Sequence, residues 1–135
     1  MSDEIITTIS PITNQVLYTR RGISAEDLQQ LPRVAEESFL SFSKTSLADR
    51  QEIITKALKI LESRKDVLAS ELTAQIGRPI SYAEKEIFTA VKRAQYLVKI
   101  SEDVFRDIPG EAEQGFKRYI RKFPIGPVLI IFAWN

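Results

Sequence analysis

"FPIGPVLIIFAWN", residues 123–135, is the most apolar stretch of the chain and closes it on Trp134 and Asn135. Pro124, Gly126 and Pro127 turn the backbone, because proline fixes φ and glycine relaxes it. Val128–Phe132 then runs as five apolar, mostly β-branched residues without alternation, the mark of a strand buried on both faces. Such a strand needs a neighbour on each edge and cover on each face. The rest of the sequence supplies few candidates.

Before it, "FKRYIRKFP" (116–124) alternates charge with aromatic and aliphatic residues, as a partly exposed strand does. "PGEAEQG" (109–115) is a polar turn. Four helices precede that turn. "SAEDLQQLPRVAEESFLSF" (24–42) carries Leu28, Leu31, Ala35, Phe39 and Phe42 on one face, with Ser24 as N-cap and Asp27 three residues on. Pro32 removes one backbone donor inside it, so a kink or a restart is expected there. A second helix covers 45–64, capped by Thr45 or Ser46. A third covers 65–77 and ends at Gly77, with Pro79 blocking continuation. The fourth, 81–105, is the longest, and Ser81 with Glu84 has the form of a capping box. At the start, "ISPITNQVLYTRRG" (9–22) reads as two short extended pieces around a turn at Thr13 and Asn14.

The chain has 135 residues, a net charge of +1, and neither cysteine nor histidine. Disulfides, thiolate metal sites, thiol nucleophiles and histidine acid–base pairs are therefore absent from these residues. Near-neutral charge gives no electrostatic case for nucleic acid or a membrane surface, and the basic clusters at Arg20 and 117–122 are small. The longest apolar run is too short to span a bilayer, and the acidic N-terminus lacks the features of a signal peptide. A cytoplasmic protein is expected. No glycine-rich phosphate loop is present, and Glu36, Glu37, Glu84, Glu86 and Arg50 read as solvated helix surface or surface ion pairs.

Taken in order, "ISPITNQVLY", the first helix with its aromatic end, "ADRQEIITKALKILESRKDVLASELT", "TAQIGRP", the long helix, and "RKFPIGPVLIIFAWN" resemble the N-terminal part of the NAD(P)-dependent aldehyde dehydrogenase superfamily. The resemblance covers about residues 9–135 and is carried by the order of several motifs. It implies an α/β fold: short N-terminal strands (9–22), a helical region (24–105), a strand of the oligomerisation and bridging hairpin (116–124), and the first core strand of a Rossmann-like sheet with the cofactor and oxyanion loop (127–135). The segment would be incomplete as a domain, and an unpaired 128–132 would be a template for aggregation.

The resemblance also implies roles. Asn135 matches the asparagine whose side-chain amide helps form the oxyanion hole, a sound use of an amide donor at a developing alkoxide. Ile131, Phe132, Ala133 and Trp134 match the loop bordering the nicotinamide end of NAD or NADP. Without the resemblance, Trp134 and Asn135 read as a packed indole and a polar cap at a strand end. Ala133 stands where most members have proline, Arg78 where lysine is usual and Gln75 where glutamate is usual. The family's catalytic cysteine, general-base glutamate, cofactor lysine and glycine-rich turn have no match in these residues. The implied enzyme oxidises an aldehyde to a carboxylic acid and works as a homodimer or homotetramer. These 135 residues alone are expected to be inactive. The alternative is a non-enzymatic helical interaction module, or a truncated gene product, that docks a partner such as a full-length homologue. A cofactor-independent hydrolase lacks a nucleophile and base arrangement.

Overall fold

The computed structural model describes residues 5–132. An antiparallel hairpin opens the chain: β1 (Ile5–Ile9) pairs with β2 (Val16–Arg21). The register shifts between Thr8 and Ile9, where a bulge bends the ladder into the turn. That turn is built by side chains. Ser10, only 2% exposed, accepts hydrogen bonds at Oγ from the N–H groups of Ile12 and Thr13, and Asn14 takes a positive φ of 57°. Thr13 and Asn14 thus make the turn, while β1 begins earlier than the apolar pattern indicates, because Ile5–Thr8 complete the ladder against Tyr18–Arg21.

Four helices follow: α1 (Ala25–Phe42), α2 (Leu47–Ser63), α3 (Lys65–Ile76) and α4 (Ile80–Phe105). Ser24 caps α1 by accepting from the Asp27 N–H at 3.0 Å, and its hydroxyl donates to the Asp27 carboxylate at 2.7 Å. Ser46 repeats this arrangement with Asp49 at α2, so the cap is Ser46 and not Thr45. Gly77 closes α3 in the left-handed region, at φ 75°, with its N–H on the Thr73 carbonyl. Two expectations are corrected. Pro32 does not restart α1, which continues through it. Ser81 does not cap α4: the helix begins at Ile80 with Pro79 at the cap position and no side-chain cap. Proline at a helix start loses nothing, because its missing donor has no helical partner there, and this places Ser81 inside the first turn.

The three later helices pack together, α2 and α3 both against α4. The buried residues are small in number and size: Leu58 of α2, Ala69 of α3, and Ala83 and Val91 of α4. Ala69 and Ala83 have no exposed surface, which lets backbones approach closely. Gln51 ties α2 to the far end of α4, donating to Ser101 Oγ at 2.9 Å. Helix α1 has no buried residue, and Leu28, Leu31 and Phe42 on its apolar face are half exposed.

After α4, β3 (Ile108–Pro109) pairs with β4 (Tyr119–Ile120) in a two-rung antiparallel ladder. Only residues 119–120 of the expected strand 116–124 form this ladder, with a single further bridge between Glu113 and Phe116. Residues 127–132, expected as a core strand, make no strand pairing, and Val128–Phe132 are each 64–86% exposed. The physical reason is the one the apolar run itself poses. A doubly buried strand forms only between neighbours, and no described strand lies beside this one.

Candidate functional site

The chain approaches the proposed oxyanion and cofactor loop through a fixed anchor. Arg121 forks onto Asp107, with Nε at 2.9 Å and a terminal nitrogen at 2.6 Å from the two carboxylate oxygens. This bidentate geometry is the strong form of a surface ion pair. The hydrogen bond from Arg121 holds the Asp107 carboxyl below the usual carboxylate range, and the same hydrogen bond raises the guanidinium pKa. Arg121 also lies over the Tyr119 ring, 4.7 Å from its centroid. The Lys122 ammonium donates to the Val104 carbonyl at the end of α4, and Arg118 pairs with Glu113 across the hairpin loop. The basic cluster 117–122 is thus partly consumed in holding β4 against the end of α4. A cavity of about 580 Å³ opens beside it, walled by Leu47 and Arg50 of α2, Phe105, Arg121 and Phe123.

Beyond this anchor, two of the five candidate residues, Ile131 and Phe132, are described. Ile131 and Phe132 are 85% and 86% exposed. A dinucleotide site is concave and covers most of its ligand. Ile131 and Phe132 as placed enclose nothing, so the described residues do not by themselves fit NAD or NADP. Ala133, Trp134 and Asn135 lie outside the described residues. Among the described residues, no group of three or more acidic side chains could hold a metal ion. No described helix is long and apolar enough to cross a membrane.

Three residues acquire partners that sequence patterns do not disclose. Arg78 forms an ion pair with Glu86, eight positions on, across the start of α4. With Tyr82, Lys85 and Arg93 this pair walls an open cavity of about 620 Å³. Gln75 accepts a hydrogen bond from the Tyr18 hydroxyl at 3.2 Å, joining the β-hairpin to α3. Both Arg78 and Gln75 occupy positions where the chain departs from the family pattern, and each has a specific contact there. Arg50, expected in a surface ion pair, lies instead 5.7 Å from the Phe105 ring centroid. Helical spacing reveals neighbours at three and four residues. It cannot reveal a pair that spans a helix break, which is why Arg78–Glu86 was not legible.

The whole length, residues 1–135, matches the profile of the Aldehyde dehydrogenase family. Relatives include a probable succinate-semialdehyde dehydrogenase, named for NADP(+), of Synechocystis sp., 30% identical over 132 residues. A succinate-semialdehyde dehydrogenase of Mycobacterium avium, also named for NADP(+), is 28% identical over 133 residues. Each alignment covers 96% of this chain and 28% of the relative. Among solved structures, a succinic semialdehyde dehydrogenase from Streptococcus pyogenes in complex with NADP+ superimposes with a TM-score of 0.73 at 24% identity. A NAD-dependent benzaldehyde dehydrogenase from Corynebacterium glutamicum gives 0.74 at 22% identity. Both comparisons cover 84% of this chain and 25% of the other, and at such identity they speak to fold alone. The architecture is therefore the α/β N-terminal segment of a larger oxidoreductase fold. The chain belongs to the aldehyde dehydrogenase family, and it spans about 28% of the length of these curated relatives.

Proposed function

We propose that these residues serve as the N-terminal part of an enzyme that oxidises an aldehyde to a carboxylic acid with NAD(P)+ as hydride acceptor. The observation that carries this reading is the family match over the entire chain, residues 1–135. In this reading residues 116–124 belong to the bridging hairpin, and residues 127–135 are a core strand with its loop. Asn135 donates its side-chain N–H to the oxygen that gains charge as the carbonyl is attacked, lowering the barrier because the donor is already in place. Ile131, Phe132, Ala133 and Trp134 border the nicotinamide. Hydride acceptance is the chemistry that NAD(P)+ supplies when bound. The names of the relatives make a carboxylate-bearing semialdehyde the first substrate to try, with a cytoplasmic homodimer or homotetramer as the working form.

The 135 residues alone are inactive in this reading, because they contain no cysteine to attack the aldehyde. A purified chain of verified mass, given succinate semialdehyde and NAD+ or NADP+, produces no NAD(P)H. Detectable aldehyde-dependent formation overturns the inactivity. The positive test grafts residues 1–135 in place of the matching segment of the Synechocystis relative. The graft retains aldehyde oxidation. Asn135→Ala in it lowers kcat on the order of 100- to 1,000-fold, as loss of one oxyanion donor does elsewhere. A folded but inactive graft, or an Asn135→Ala graft with full kcat, counts against the assignment.

A second reading, a helical interaction module, is favoured by one observation: the apolar face of α1 has no buried residue.

A further inference from the structure

A cleft of about 580 Å³ lies where the start of α2, the end of α4 and the chain after β4 converge. Its volume is that of a small-molecule site. Leu47, Phe105 and Phe123 give it apolar walls. Its charged lining is Arg50, Arg106, Arg121 and Lys122 against Glu102 and Asp107, an excess of positive charge.

Some of those charges are already engaged. Asp107 is held by the fork of Arg121, and Arg106 pairs with Asp103 at 2.7 Å. Arg50 and Lys122 differ. The half-buried Arg50 lies over the Phe105 ring, and its side chain donates from Nε to the Ser46 carbonyl at 3.4 Å. Among the described residues, no carboxylate pairs with its guanidinium. Lys122 uses one of its three ammonium donors on the Val104 carbonyl. Glu102 lines the same cleft and pairs with neither cation.

We propose that this cleft binds a small carboxylate with an apolar body, an aromatic acid being the simplest. The carboxylate accepts from the terminal nitrogens of Arg50, a planar fork that matches two oxygens, and from Lys122. The ring lies against Phe105 and Phe123. A half-buried guanidinium without a carboxylate partner is costly, and such a ligand relieves that cost. The apolar walls separate this ligand from a bare phosphate, because a fully hydrated anion gains nothing from them. The walls come from three parts of this one chain, and the inference does not depend on the enzymatic reading.

The test titrates the purified chain with benzoate at constant ionic strength, following the side-chain signals of Arg50, Phe105 and Phe123 by nuclear magnetic resonance. Saturable shifts with a dissociation constant in the millimolar range are expected. Benzamide, the uncharged analogue, and inorganic phosphate, which lacks the ring, bind about tenfold more weakly or worse. Arg50→Met keeps the apolar stem and raises the benzoate constant about tenfold, as loss of a charge-assisted forked contact does. Lys59→Met, the same charge change at an exposed position of α2, leaves it unchanged. Glu102→Gln removes a repelling charge and lowers the constant about twofold, a gain that damage to the fold would not produce. The same titration of the graft into the Synechocystis relative gives the same constant. Benzamide or phosphate binding as tightly as benzoate overturns the proposal, as does an Arg50→Met chain that binds like the parent. Loss of benzoate binding in an active graft means that the remainder of the protein fills the cleft, and overturns it as well.

Discussion

Pro11 lies so close to Gly77 that a β-carbon on the glycine would stand 3.2 Å from Pro11 Cγ. The contact joins the turn of the N-terminal hairpin to the junction between α3 and α4. Gly77 also holds a φ of 75°, which favours glycine. Gly77→Ala therefore meets two penalties, backbone strain and a crowded neighbour that must give by a few tenths of an ångström. A loss of about 1–2 kcal/mol is expected from the strain. Urea unfolding followed by helical circular dichroism measures it, and an unchanged midpoint would refute the contact.

Two serines separate a true cap from an apparent one. Ser46 accepts the Asp49 N–H, so Ser46→Ala costs about 1 kcal/mol. Ser81 lies inside the first turn of α4, where alanine is the better helix former, so Ser81→Ala costs nothing. Equal losses from both in the same melt would restore Ser81 to a capping role.

Acid should release the second hairpin. The carboxyl of Asp107 is held below its usual range by Arg121, so the pair favours the folded form wherever Asp107 is ionised. Its contribution is fully present above the unfolded value of about 4 and disappears as pH falls through the lower folded value. Nuclear magnetic resonance titration of Asp107 should report that lowered pKa. Asp107→Asn should remove the titration and broaden the amide signals of Tyr119 and Ile120 while leaving α2–α4 intact.

The helical layer depends on small residues. Ala83 has no exposed surface on the helix against which α2 and α3 pack. Ala83→Leu forces extra methylenes into that contact and costs roughly 1–3 kcal/mol. Replacing exposed Phe88 by Leu on the same helix should stay within about 0.5 kcal/mol. Comparable losses at the two positions would mean that α4 is not packed as described.

Much of the local structure is legible in the sequence. Three- and four-residue spacing marked all four helices, because at that spacing apolar side chains fall on one helix face. Ser24 and Gly77 marked two of their ends through the polar groups that helix termini leave unpaired. The rest is equally physical. Pro79 displaced Ser81 from the cap position because a proline can begin a helix at no cost. The strand character of Val128–Phe132 stayed unexpressed because pairing is a property of neighbours, which a run of apolar residues requests but cannot supply.

By itself, the sequence determined the helices, the order of family motifs and the absence of cysteine and histidine chemistry in these 135 residues. These depend on residue type and near spacing alone. Tertiary structure decided what distant residues do together: Arg78 with Glu86, Tyr18 with Gln75, Asp107 with Arg121. It also decided which apolar faces are covered, leaving α1 and residues 128–132 open while Ala69, Ala83 and Val91 are enclosed. Burial is a relation between surfaces, and the same apolar side chain is core or contact face according to what the fold brings against it.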